Sequence, residues 1–215
     1  MIRVLVVDDH AVVREGLKRI FAETPDISVE GEAGDGRTAL ERVGTGHYDV
    51  VVLDISMPGM SGLDLLKQLK SLKPELPVLM LSIHPEEQYG ARTLVAGASG
   101  FLTKESAPDE LISAVRRVST GMKYVSKTLA EKLLDAATNK ENKTLHRNFS
   151  NREFQVLCMI ADGKSVKEIA EALSLSPKTV ASHRSRVLHL TGLKNDADLI
   201  RYAIRHGLVT PDVEV

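Results

Sequence analysis

Across residues 1–121, short apolar runs alternate with longer stretches of helical periodicity, and this alternation restricts the fold more than any other feature of the chain. The runs are IRVLVVDD (2–9), ISVEGEA (27–33), DVVVLD (49–54), LPVLMLS (76–82) and SGFLTK (99–104). Apolar residues recur at helical spacing over Arg14–Ala22, Leu63–Leu72, Gln88–Ala96 and Pro108–Thr120. Strands that are apolar on both faces must be covered on both faces, and a βα repeat supplies the helices. The expected architecture is α/β, a doubly wound five-stranded parallel sheet with five helices. In such sheets ligands bind beyond the carboxyl ends of the strands, where the strand order reverses.

Those carboxyl ends are polar. The first strand ends in Asp8 and Asp9, the third in Asp54, the fourth in Ser82 and the fifth in Thr103 and Lys104. Asp54 is followed at once by a loop carrying Pro58, Gly59 and Gly62. An Asp after a strand is commonly the N-cap of the next helix, and for Asp9 alone that reading suffices. It does not suffice for the group, because carboxylates gathered beside an apolar interior need a counter-charge. A hard divalent cation with oxygen ligands in octahedral geometry supplies one, and Lys104 supplies another. Mg2+ and a phosphoryl group suit that arrangement.

The Asp-Asp pair, the Asp of LDISMPGMSG, the Ser closing VLMLS and the Lys of GASGFLTK together resemble the receiver domain of bacterial two-component response regulators, over roughly residues 1–120. The resemblance implies a flavodoxin-like domain in which Asp54 accepts a phosphoryl group from a phosphohistidine on a partner sensor histidine kinase. It implies that Asp9, Asp8 through water, Asp54 and the carbonyl of Ser56 hold Mg2+, and that Lys104 neutralises a phosphoryl oxygen. Ser82 and Phe101 would report the modification to the far face. Phe101 stands where many receivers have tyrosine, so the switch lacks a hydroxyl. Glu105 follows the lysine where many have proline, and a cis peptide there would cost about 2.5–4 kcal/mol. Ser56 and His84, each two residues beyond a key position, border the site. The alternative is a Mg2+-dependent phosphatase or phosphotransferase with Asp54 as nucleophile. Enzymes of the haloacid dehalogenase type carry a second acid two residues further on, where this chain has Ser56, so a regulator is expected rather than an enzyme.

Beyond Gly121 the pattern changes. Residues 126–137, SKTLAEKLLDAA, read as a helix opened by Ser126, and residues 138–148, TNKENKTLHRN, as a polar linker, so that 122–148 joins domains spanning 1–121 and 149–215. Residues 1–121 hold 13 Lys/Arg against 18 Asp/Glu, residues 122–148 hold 6 against 3, and residues 149–215 hold 9 against 8. Charge alone therefore does not select a polyanion partner. The single cysteine, Cys158, excludes an internal disulfide framework. No signal stretch or run of transmembrane length is present, so a cytoplasmic protein with no membrane partner is expected.

The last segment is helical by pattern. SNRE (150–153) and SVKE (165–168) are capping boxes, each followed by apolar residues at helical spacing. Ser176 reads as an N-cap with Pro177 at the first helical position, Gly192 as a terminator, and a fourth helix runs from about Asn195 to His206. A helix, a short turn and a second helix bearing Lys, Ser, His and Arg form a helix-turn-helix arrangement. SNREFQVLCMIADGKSVKEIAEALSLSPKTVASHRSRVLHLTGLKNDADLIRYAIRHGLV resembles the four-helix DNA-binding domain of the LuxR/FixJ/NarL class. Val180 and Val187 should face the core, leaving Lys178, Ala181, Ser182, Ser185 and Arg186 towards double-stranded DNA. By resemblance Ala181, Ser182 and Ser185 approach base edges, while Lys178, Thr179 and Arg186 contact phosphates. His183 is either a phosphate contact or a packed histidine. Ala181 replaces a frequent lysine of the family, and Val166 a frequent asparagine. The expected protein is a transcription factor that pairs as a homodimer when phosphorylated, with RNA polymerase as a further candidate partner. Pairing is expected through the face of the fourth helix, fifth strand and fifth helix, or through the final helix around Leu199, Tyr202 and Ala203.

Overall fold

A computed structural model describes residues 1–127, 129–131, 133 and 149–209. The helix expected over 126–137 lies partly, and the polar linker over 138–148 wholly, outside the described residues. Residues 1–131 form one compact unit and residues 132–215 a second.

In the first unit the elements follow in the order β1 (Ile2–Val7), α1 (Ala11–Ala22), β2 (Ile27–Ala33), α2 (Gly36–Thr45), β3 (Val50–Asp54), α3 (Gly62–Leu72), β4 (Val78–Ser82), α4 (Glu86–Val95), β5 (Gly100–Thr103) and α5 (Pro108–Ser119). The strands are all parallel and lie in the order β2-β1-β3-β4-β5. Val4, Val6, Val50, Val52, Leu79 and Leu81 belong to one core cluster with Phe21, Leu111, Val115 and Val118. The alternate strand residues Leu5, Val51, Leu53 and Met80 are equally buried. Both faces are thus covered, which is why the strands read as continuous apolar runs. Each such side chain contributes about 1.5–3 kcal/mol through burial.

The start of α1 lies three residues before the Arg14 expected from periodicity, at Ala11. Its N-cap is His10, which makes no side-chain capping bond, and not Asp9. At α3 the loop after Asp54 closes tightly. Gly62 N–H donates to Ile55 O at 2.9 Å, and a Cβ on Gly62 would lie 2.0 Å from Asp54 O and 2.7 Å from Ile55 Cα. Only glycine fits where helix and strand end approach this closely.

The chain after α5 turns back along β5. Tyr124 N–H donates to Ser99 O at 2.9 Å and Tyr124 forms a parallel bridge with Gly100, while its hydroxyl donates to Glu110. Lys123 Nζ donates to Ala98 O at 2.6 Å. The Ser126 hydroxyl bonds Glu86 and caps Leu129 N–H. Leu129 is buried at Gly90, where a Cβ would come within 2.7 Å of its Cδ2. Part of the α4–β5–α5 face is therefore covered by the chain's own Lys123, Tyr124, Ser126 and Leu129, and Tyr124 also shields the edge of β5.

The second unit contains α6 (Asn151–Ala161), α7 (Val166–Leu173), α8 (Pro177–Thr191) and α9 (Asp196–Arg205). Both capping boxes form: Ser150 with Glu153, and Ser165 with Glu168. Ser174 ends α7 in the left-handed region at φ 51°, and Ser176 then caps α8 through Thr179 N–H. This turn makes α7 and α8 a helix-turn-helix. Phe154, Leu157, Cys158, Ile169, Leu173, Val180 and Val187 are all buried.

Candidate phosphoacceptor site and nucleic-acid interface

Because β1 lies between β2 and β3, the strand order reverses beside it, and a crevice opens beyond the ends of β1 and β3. Asp8, Asp9 and Asp54 sit there, with Asp8 and Asp54 buried. Lys104, just past β5, brings its Nζ to 2.6 Å from Asp8 Oδ2 and 3.3 Å from Asp54 Oδ2. Asp8 Oδ1 accepts from His10 N–H at 2.9 Å, and the Arg14 guanidinium donates to the Asp8 carbonyl at 2.8 Å. Both Asp54 oxygens, Asp8 Oδ2 and Asp9 Oδ1 are buried, and the Lys104 ammonium at ion-pair distance is the counter-charge set against Asp8 and Asp54.

This environment perturbs the titration of the cleft. Burial pushes the Asp54 carboxyl up to about 6, with the Asp8 charge adding to it and Lys104 opposing it. For Lys104 burial works against the charged form, but Asp54 and Asp8 outweigh it and raise its affinity for the proton. A carboxylate this buried and this poorly compensated is held ready to receive positive charge. One ligand atom from each of Asp8, Asp9, His10 and Asp54 lies within 4.8 Å of the others, and the orphaned oxygens match a hard divalent cation.

Ser82 is buried at the end of β4, and its Oγ accepts from His84 N–H at 3.0 Å. Ser56 Oγ lies 3.1 Å from His84 Nε2, and the His84 ring stands 5.0 Å from that of the buried Tyr89. The loops after β3 and β4 are thus joined across the crevice. Phe101, paired with Met80 in the sheet, is 2% exposed. No described peptide bond is cis, Lys104–Glu105 included. The structure brings Asp8, Asp9, Asp54 and Lys104 together and adds His10 and Arg14. The sequence did not mark these two, although His10 directly follows the Asp-Asp pair.

In the second unit Val180 and Val187 are buried, and Lys178, Ala181, Ser182, Ser185 and Arg186 are exposed. At 100° per residue those five share a stripe of about 140° opposite the two valines. Thr179 is engaged in the helix cap, its hydroxyl 2.7 Å from Ser176 Oγ. His183 is half-buried on the flank of the core. Arg184, absent from the expected site, donates to Asp196 at 2.6 Å and ties α8 to the first turn of α9. The expected pairing surface on the final helix needs correction. Leu199 and Ala203 are fully buried because α9 packs on α6, and the Tyr202 ring lies 4.3 Å from that of His206, tilted by 49°; Ala197, Arg201, Ile204 and Arg205 are the exposed residues of α9.

Residues 4–116 match the response regulator receiver domain, and residues 147–203 match the luxR family of bacterial regulatory proteins. The chain belongs to the two-component response regulators that carry a LuxR-type helix-turn-helix domain. It is 39% identical over 209 residues to response regulator UvrY of Escherichia coli K12, across 97% of this chain and 96% of that one. RcsB from Salmonella enterica serovar Typhimurium, solved bound to promoter rprA in the presence of the phosphomimetic BeF3−, is similar with a TM-score of 0.64 and 26% identity, over 94% of this chain and 98% of that one. A structure of two RcsB dimers bound to two parallel DNAs has a TM-score of 0.58 and 27% identity, over 97% and 99%. The protein is therefore a transcription regulator and not an enzyme, and its receiver implies a histidine kinase as partner. No described helix is long and apolar enough to cross a membrane.

Proposed function

We propose that Asp54 is the phosphoacceptor and that its modification controls DNA binding by the helical domain. The observation that carries this reading is the Asp54 carboxyl itself, buried at a strand end beside Asp8 and 3.3 Å from Lys104. A carboxylate oxygen of Asp54 attacks the phosphorus of a phosphohistidine, a P–O bond forms, the P–N bond breaks, and the imidazole nitrogen keeps the electron pair. Asp8, Asp9, Asp54 and the Ser56 carbonyl would hold Mg2+, which when bound offsets charge on the phosphoryl oxygens. Lys104 neutralises a phosphoryl oxygen, and Ser82 hydrogen-bonds another. The pull on Ser82 acts through His84 and the buried Phe101 on α4 and β5, against which Tyr124, Ser126 and Leu129 pack.

Residues 1–121 act as the receiver, 122–148 as the connector and 149–215 as the DNA-binding domain, in the cytoplasm. Helix α8 enters the major groove, with Ala181, Ser182 and Ser185 towards base edges and Lys178 and Arg186 towards phosphates. Thr179 orders the start of the helix, and His183 packs at its flank. A homodimer doubles these contacts at a two-fold symmetric site, and RNA polymerase is the partner through which promoter binding is read. Intact-mass measurement after acetyl phosphate and Mg2+ tests the first step: wild type should gain one phosphoryl group and Asp54→Asn none. Uptake by Asp54→Asn at the wild-type rate would sink the assignment.

A further inference from the structure

We infer that His10 completes the acidic cleft as a nitrogen ligand, so that the site binds first-row transition cations such as Ni2+ with a preference an all-oxygen site would lack. The inference rests on reading the cleft as a divalent-cation site and concerns which cations it selects.

The geometry points to it in three ways. His10 Nδ1 lies 3.1 Å from Asp9 Oδ1 and 3.3 Å from Asp8 Oδ1. Asp9 Oδ1 is buried and yet has no hydrogen-bond partner among the described residues, so the short approach of the imidazole nitrogen does not satisfy it. Two ligand atoms at right angles on an ion with bonds of about 2.1 Å stand about 3 Å apart, and opposite ones about 4.2 Å. The two His10 distances match the right-angle spacing, and one ligand atom from each of Asp8, Asp9, His10 and Asp54 lies within 4.8 Å of the others, so a small inward shift gathers the four on one ion.

Among the described residues the imidazole makes no polar contact beyond those with Asp8 and Asp9. His10 occupies the N-cap of α1 without a side-chain capping bond, and its side chain is 65% exposed. What holds the residue in place is its backbone, whose N–H donates to Asp8 Oδ1. The ring can therefore turn to a cation entering from solvent without disturbing the helix. Chemically, imidazole adds little for Mg2+, which prefers oxygen and keeps several waters, and much for Ni2+ and its neighbours. Such a cation would occupy the place of Mg2+ and compete with it.

Isothermal titration of the full-length wild type, His10→Ala and His10→Phe with NiCl2 and with MgCl2 tests this. Alanine removes the ring, and phenylalanine keeps its bulk without the nitrogens. Ni2+ affinity should fall about tenfold or more in both variants, while Mg2+ affinity should change by less than about threefold. Excess Mg2+ should displace Ni2+ from the wild type, which places both ions in one cleft. Equal Ni2+ affinity in all three proteins, or a proportional loss of both cations, overturns the role of His10 and leaves the cation site standing. A wild type that binds neither cation overturns the cation-site reading and the inference with it.

Discussion

Replacing Asp54 by Asn should stabilise the unmodified protein in the absence of divalent cations, because the site holds a charge the fold does not want. The Asp54 carboxyl titrates at an ordinary 3.8 when exposed and is pushed up to about 6 by burial in the fold. At about 1.4 kcal/mol per tenfold change in proton affinity, the ionised carboxylate costs the folded state about 3 kcal/mol. Because the folded value is the higher one, stability associated with this group is fully present below pH 3.8 and is lost as pH rises through about 6. Asparagine keeps the size and cannot ionise, and Lys104 retains Asp8 at 2.6 Å. Thermal unfolding of both full-length proteins in EDTA should show Asp54→Asn ahead by about 2–3 kcal/mol at pH 7.5, or about 6–12 °C for a unit of this size. The gap should shrink to about half at pH 5, and Mg2+ should narrow it at pH 7.5 by stabilising the wild type through binding. A wild type as stable as the variant at pH 7.5 in EDTA, or a gap indifferent to pH, would refute the argument.

Three further substitutions probe other parts of the structure. Gly62→Ala should destabilise the first unit by about 3 kcal/mol or more, measured by denaturant unfolding, because its Cβ meets backbone at Asp54 and Ile55 and no side chain can yield. Ser174→Gly should stabilise the helical unit by about 0.5–1 kcal/mol, since the residue stands at φ 51°, and loss of stability there would contradict the turn geometry. Arg186→Ala should weaken binding to specific and non-specific DNA alike and lower the salt slope by about 1, whereas Ser182 substitutions should change sequence preference; the reverse pattern would mean that α8 faces the groove differently.

The parts of this structure that were legible in the sequence are those set by local pattern. Continuous apolar runs announced a covered parallel sheet, and Ser150, Ser165 and Ser176 announced three helix starts because a capping side chain is itself the physical cause of the start. The start of α1 was hidden because His10 caps without a side-chain bond. Asp8, Asp9, Asp54 and Lys104 were legible as strand ends, since a parallel sheet brings those ends together whatever the loops do. The contributions of His10 and Arg14 depend on how one loop turns after β1, and nothing in their spacing encodes that turn. Tyr124, Ser126 and Leu129 met β5 and α4 through tertiary contacts that local periodicity does not carry. On α9, Leu199 and Tyr202 read alike as one apolar stripe, and only packing against α6 separates the buried residue from the half-exposed one.

The central claim is that chemistry at Asp54 governs DNA binding by a separate domain. Selection of bound genomic DNA by the full-length protein, with and without acetyl phosphate and Mg2+ and in parallel with Asp54→Asn at one salt concentration, tests it most directly. A defined set of fragments should be enriched by the wild type only when the phosphodonor is present, and Asp54→Asn should show no response to the donor. Recovery of the same fragments at the same yield by the wild type with and without donor would contradict the account.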